Sequence, residues 1–378
     1  MKFSNCVVTH DWVKSYGGSE HILTSFCDVL GAYDLYTPIY LSNRCDLYNY
    51  GFSGSIKSID IYSYLSKFNF IPMEILGLLF NALIFESYDL FSYELVISNS
   101  HAFSHGVITN SKQCHIVYSN TPMRYVWSGA AEYTTLIRKN FPIISSCVPI
   151  LMSYLRSWDF IASQRSDYVV AISETVQKRI KKYYKRESVV IYPPVGMVDI
   201  VHENNRLLKN QKEDYYITVG RLVPNKNVDL IIKTFNERFP DKLLLIAGAG
   251  KEEKRLKKIA KDNLNIKFKG YVSEKEKIKL ISQSRGFIFC ADEDFGIVPI
   301  EAMALGVPVI AYNSGGITEN LKSEINGILF DDRTVNSLFE AVKNFEKIKF
   351  NKQEISKTVI HLSNARFVRE WKEFLIGI

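Results

Sequence analysis

Glu293-Asp294-Phe295-Gly296-Ile297-Val298-Pro299-Ile300-Glu301 carries a carboxylate at each end, eight positions apart. Between them Phe295-Gly296 puts a glycine where the backbone can approach a ligand closely. Ala302-Met303-Ala304 follows, then Gly306-Val307-Pro308-Val309-Ile310-Ala311. The order reads as strand end, tight loop, helix start, helix, glycine stop and next strand, the rhythm of a parallel α/β sheet. A helix that starts where a strand ends aims backbone N–H groups at an anion. Acids on either side suit hydroxyls. A ligand with phosphates in the middle and hydroxyls at both ends is a nucleotide-sugar.

The same rhythm extends outward. Strands are expected at Tyr215–Val219, Leu243–Ala247, Ile266–Lys269, Gly286–Cys290 and Val307–Ala311, and helices at Val228–Phe239, Lys251–Asp262 and Lys275–Gln283. In the first half, strands are expected at Cys6–Thr9, Leu95–Ser98, His115–Tyr118, Tyr168–Ile172 and Val189–Tyr192, with helices at Glu20–Leu30 and from Glu174 to about Tyr184. Pro193-Pro194 and the polar stretch Glu203–Asp214 mark a domain boundary. Ala365–Leu375 has aromatic and apolar residues at helical spacing after the last sheet signal.

A chain of 378 residues, 47% hydrophobic and 23% charged, is globular with ample core. Its formal net charge of +7 is uneven: 17 Lys and Arg face 16 Asp and Glu up to residue 200, and 30 face 24 beyond it. That mild excess suits a phosphate-bearing ligand and argues against nucleic acid as partner. Eighteen of the 22 tyrosines precede residue 201, so the halves differ in task. Cys6, Cys27, Cys45, Cys114, Cys147 and Cys290 form no CxxC pair and read as reduced thiols. The opening Met-Lys-Phe-Ser-Asn is too polar for a signal peptide. The apolar stretch Phe68–Phe85 contains Pro72, Glu74 and Asn81, and reads as a buried or interface-lying helix rather than a span.

Four further features carry chemistry. Gly220-Arg221-Leu222-Val223-Pro224-Asn225-Lys226 sets two cations five apart after a strand, placed for the charge that develops on a departing diphosphate. Gly17-Gly18 opens a helix after the first strand and can bend over a pyrophosphate. His101, just past a strand, is aimed at the crevice where ligands of such sheets bind and can bond a sugar hydroxyl. Helix 174–186 carries Lys178, Arg179, Lys181, Lys182, Lys185 and Arg186, either a solvated basic face or a match for an anionic membrane or phosphate-bearing acceptor.

Together these residues resemble family 4 of the retaining glycosyltransferases. Glu293 to Glu301 matches its Glu-x7-Glu motif, Gly220-Arg221 with Lys226 its phosphate-binding pair, and Ile246-Ala247-Gly248-Ala249-Gly250 a common strand and turn. Gly270-Tyr271-Val272-Ser273 resembles the segment facing the base, and Ser314-Gly315-Gly316-Ile317-Thr318-Glu319 resembles "GGxxE", with Thr318 where proline is commoner. His10-Asp11-Trp12, Tyr16–Glu20, Ser100-His101-Ala102, Asn120–Tyr125 and Arg156–Asp159 resemble a narrower branch, the O-antigen and capsule mannosyltransferases. Asn120 stands where histidine is usual and Ser128 where aspartate is common, departures that point to another hexose, a deoxy sugar or a different acceptor.

The resemblance implies an α/β protein of GT-B fold, two Rossmann-like domains with a deep inter-domain cleft. It implies an acceptor-binding domain over 1–200, a nucleotide-sugar-binding domain over 201–360, and a helix over 361–378 packing back on the first. It assigns catalysis to His101, Glu293, Arg221 and Lys226, and donor binding to Gly17, Gly18, Arg221, Lys226, Tyr271, Val272, Glu293, Phe295, Gly296, Ile297 and Glu301. Arg124, Tyr125 and Trp127 are expected at the acceptor. No metal or cofactor is expected beyond the nucleotide-sugar donor, GDP-mannose in the best reading. The expected partners are a polyprenyl-diphosphate-linked glycan acceptor and an anionic membrane, with the protein cytoplasmic and peripheral on the inner face of the cytoplasmic membrane. The alternatives are a UDP- or dTDP-sugar transferase, a sugar-phosphate synthase or epimerase with a soluble substrate, and a catalytically silent nucleotide-sugar-binding protein.

Overall fold

The apolar runs are buried along their whole length in Cys6–His10 and Leu95–Ser100, as central strands of a parallel sheet must be when both faces are covered. In the computed structural model, which describes residues 3–58, 73–140, 148–209, 213–261 and 263–378, the chain divides into two units. The first is Met1–Pro194 with Ala365–Ile378, and the second is Val195–Asn364. The expected boundaries at 200/201 and 360/361 lie a few residues away.

The first unit holds β1 (Cys6–His10), β2 (Asp34–Thr37), β3 (Ile56–Ser58), β4 (Leu95–Ser100), β5 (Cys114–Ser119), β6 (Tyr168–Ala171) and β7 (Val189–Val190). They form one parallel sheet in the order β3-β2-β1-β4-β5-β6-β7. The second holds β8 (Tyr215–Val219), β9 (Leu243–Ala247), β10 (Ile266–Gly270), β11 (Gly286–Phe289), β12 (Val309–Tyr312) and β13 (Gly327–Phe330). Its parallel order is β10-β9-β8-β11-β12-β13. In both sheets the order reverses beside the first strand, between β1 and β4 and between β8 and β11. Ligands of open α/β sheets bind beyond strand ends at such reversals.

Helices follow local signals. Glu174–Tyr184 begins where the Ser173 hydroxyl accepts from Val176 N–H (3.1 Å), and buries Val176, Ile180 and Tyr184, spaced four apart. The expected helix over 251–262 is shorter, Glu253–Ala260, because Lys261 turns to a positive φ of 53°. Asp262, Cys147 and residues 68–72 lie outside the described residues. The rest of the apolar stretch is helical over Met73–Glu86, with Ala82, Ile84 and Phe85 buried and Phe80 and Leu83 exposed. Among the described residues no helix is long and apolar enough to cross a membrane. Helix Asn364–Gly377 belongs to the first unit from Ala365 onward, and its Phe367, Trp371 and Leu375 are buried, with Trp371 edge-on to Phe26 (5.0 Å) and Tyr118 (5.3 Å).

Candidate active site

In the second unit, the residues beyond β8 and β11 converge. Asn227 donates from its side-chain amide to the Cys290 carbonyl (3.1 Å), tying the loop after β8 to the loop after β11. A small pocket there is lined by Thr218, Gly220, Arg221, Lys226, Phe289 and Cys290, among others. Arg221 is exposed, and Lys226 forms an ion pair with Glu293, each side chain about one-fifth exposed. Lys226 therefore joins the first acid of the Glu-x7-Glu stretch to the pocket that Arg221 also lines.

Glycine geometry makes this loop possible. Gly296 stands at φ 87° immediately before helix Ile297–Ala304, a backbone state that costs a β-carbon dearly. Gly315 also has positive φ (78°), and a β-carbon there would lie 2.2 Å from the Glu293 carbonyl oxygen. Gly316 N–H donates to that same oxygen (2.8 Å). The Gly315-Gly316 turn after β12 thus clamps the loop that presents Glu293.

Glu301, one turn into helix Ile297–Ala304, accepts from the Lys277 ammonium (2.8 Å), which also meets Glu274 (2.8 Å). Burial pushes the Glu301 carboxyl above the ordinary carboxylate range, with Lys277 pulling the other way. Burial opposes the charge on Lys277, but Glu301 and Glu274 outweigh it and hold its pKa above that of an ordinary lysine. Sequence reasoning missed Lys277. The signal for it was a lysine one turn into the helix that follows Gly270-Tyr271-Val272. Tyr271 is 86% exposed and Val272 half-buried, just after β10. Phe295 is buried (3%) and Ile297 half-buried.

The first unit gathers a different set beyond β1 and β4. Asp11 is fully buried, and its carboxylate accepts from the backbone N–H groups of His101 (2.7 Å), Ala102 (3.0 Å), Phe103 (2.5 Å) and Ser104 (2.9 Å). His101 Nδ1 lies 3.2 Å from the same carboxylate. Burial opposes ionisation of Asp11, but His101, His10 and the backbone donors prevail and hold it below the usual carboxylate range. His10, also fully buried, donates through Nδ1 to the Asn99 carbonyl (3.0 Å), and its Nε2 lies 3.9 Å from Glu20. Burial works against a charge on His10, yet Glu20, Asp11 and the Asn99 carbonyl raise its pKa above the ordinary imidazole value. Gly17 precedes helix Gly18–Leu30 as its extended cap, and Gly18 opens it.

Arg124, Tyr125 and Trp127 lie on the segment after β5. Trp127 donates its indole N–H to buried Asp159 (2.6 Å) and stacks on Tyr183 (5.0 Å), while Tyr125 packs edge-on against Tyr133 (4.8 Å). The polar end of Trp127 is thereby committed to the protein itself.

Residues 199–359 match the family model described as glycosyl transferases group 1. An uncharacterized glycosyltransferase of Methanocaldococcus jannaschii is 29% identical over 224 residues, 57% of this chain and 59% of that protein. The O-antigen chain mannosyltransferase RfbU of Salmonella typhimurium is 32% identical over 208 residues, 52% of this chain and 55% of that one. The chain thus spans little more than half the length of these curated relatives. A solved structure of Anabaena HepE in complex with UDP and glucose superposes with a TM-score of 0.65 at 16% identity, covering 98% of both chains, which is a likeness of fold. The chain has the GT-B fold, and its residues 199–359 are similar to the glycosyl transferases group 1.

Proposed function

We propose that this protein is a retaining glycosyltransferase that moves a hexose, mannose from GDP-mannose in the reading favoured here, to a lipid-linked oligosaccharide in bacterial surface polysaccharide synthesis. The observation that carries the reading is the Lys226–Glu293 ion pair at the β8/β11 reversal, beside a pocket lined by both Lys226 and Arg221. An ammonium has three donors, so Lys226 can keep Glu293 while it reaches a phosphate oxygen. Arg221 and Lys226 stabilise the charge that grows on the departing diphosphate. Glu301 accepts from the ribose hydroxyls. Glu293 and the amides of Phe295–Gly296 hold the sugar, while the C1–O bond breaks with oxocarbenium character and the acceptor attacks from the same face. His101 bonds a carbohydrate hydroxyl. These cations take the part a metal ion plays elsewhere, so transfer continues in the presence of a chelator. The basic helix Glu174–Tyr184 serves peripheral attachment to the anionic inner face of the cytoplasmic membrane.

The likeness to a mannosyltransferase supports the sugar. A UDP-sugar donor is the second reading, favoured by the structural neighbour that binds UDP and glucose. Thermal melting with GDP-mannose, UDP-glucose and dTDP-glucose separates them. The true donor stabilises the protein by about 2.7 kcal/mol at a hundredfold excess over its Kd. A melting point unmoved by all three sinks the nucleotide-sugar reading.

A further inference from the structure

The end of β1 holds a buried carboxylate that donor chemistry in the second unit leaves unused. Asp11 is fully buried, and removing a carboxylate from water is costly unless partners replace the hydration shell. Four consecutive backbone N–H groups, from His101 to Ser104, supply that shell. Those four would suffice to close the turn after β4. The carboxylate also faces the imidazole of His101, with Nδ1 at 3.2 Å. The Trp12 ring stands edge-on to that imidazole at 4.6 Å, and the His10 ring lies 5.8 Å away. The ring is therefore gripped by β1 and the residues just beyond it, while about a quarter of its side chain stays exposed.

We propose that Asp11 is a positioning residue: it holds His101 with Nδ1–H directed at its carboxylate, so that Nε2 is the nitrogen that accepts a hydrogen bond from a hydroxyl of a bound carbohydrate. An ionised carboxylate only accepts, so the nitrogen facing it must carry the proton. The second nitrogen of a neutral ring is then an acceptor, a match for a sugar hydroxyl and a mismatch for a phosphate, which offers only acceptors at neutral pH. The inference rests on the carbohydrate-binding role proposed for His101 and adds the residue that sets its tautomer.

The test uses the full chain labelled with ¹⁵N-histidine, read above the pH at which imidazoles titrate, with His101 assigned by its loss in His101→Ala. Wild type is expected to show His101 protonated at Nδ1, the minor form of free histidine. Asp11→Asn is expected to move it towards the Nε2–H form and to lower kcat about 10–100-fold, the usual scale for a supporting hydrogen bond, with KM for the nucleotide-sugar little changed. On a His101→Ala background, Asp11→Asn is expected to cost nothing more. An equal further loss there, at an unchanged melting point, assigns Asp11 to the turn alone and overturns the proposal. An Nε2–H tautomer in wild type overturns it without any variant. Wild-type turnover by His101→Ala overturns it through the parent reading, and the spectrum tells these two failures apart.

Discussion

The two units share one design and use it for opposite electrostatics. Each sheet reverses beside its first strand, and each gathers its ionisable residues beyond the two strands at that reversal. At β8/β11 the charges are partly open to solvent: Arg221 is exposed, and Lys226 and Glu293 are each about one-fifth exposed. At β1/β4 they are sealed: His10 and Asp11 are fully buried and held by backbone groups. An open pair can exchange partners with an incoming charged ligand at little cost, whereas a sealed carboxylate is bound to its N–H donors and serves to fix geometry. The second unit is arranged to recognise charge, and the first to orient the His101 ring.

The sharpest challenge to this contrast is Lys226→Ala, which leaves the first unit untouched. Turnover is expected to fall about 10²–10³-fold, the scale for removing one preorganised charge stabiliser, with a parallel loss of nucleotide affinity by calorimetry. Unchanged affinity would place Lys226 outside the donor site and erase the distinction between open and sealed sites.

Lys277→Met probes a pair of intermediate burial. Glu301 then keeps its carboxyl in a buried place without its cation. The expected loss is about 1–3 kcal/mol, the cost of leaving a buried group unsatisfied. The sign follows from the raised carboxyl pKa of Glu301. Wild type and variant converge in acid, where Glu301 is protonated in both, and diverge as rising pH ionises it. Melting curves of both proteins across the carboxylate range test this, and a pH-independent gap would mean that Lys277 acts by packing.

A further test concerns acid lability in the sealed unit. His115 is fully buried with Nε2 at 2.8 Å from Ser98 Oγ, and burial, reinforced by His105 and nearby arginines, lowers its pKa from 6.5 to about 3. The unfolded chain takes up a proton below pH 6.5 that the folded chain refuses down to about pH 3. Stability contributed by this group is present above that window and lost as pH falls through it, by at most about 1.4 kcal/mol per pH unit. His115→Gln should flatten that slope in urea titrations, and an unaltered slope would locate the acid lability elsewhere.

The donor side was the more legible part of the chain. Gly220-Arg221 with Lys226 form one short stretch and Glu293 with Glu301 another, and within each the local spacing alone suggests strand, loop and helix start. Strands with long apolar runs, such as Tyr215–Val219 and Leu243–Ala247, have the bounds expected of them. β2, β3 and β13 fall outside the expected strands: they are three or four residues long, and tertiary pairing rather than composition makes them strands. Helix Val335–Lys347 was also absent from the expected elements, although Leu338, Ala341, Val342 and Phe345 carry its period. Asp11 was visible only as part of His10-Asp11-Trp12. Its four donors lie about ninety residues away, and no local pattern announces them.

By itself, then, the sequence determined the strand–helix alternation, the chemistry of the carboxy-terminal loops and the residue types available for binding, because these depend on neighbours within one turn or one loop. Tertiary structure alone decided which strands lie side by side. Strand order placed Asp11 against His101 and the loop of Lys226 against that of Glu293, since parallel strands joined by helical crossovers bring together residues that the chain keeps far apart.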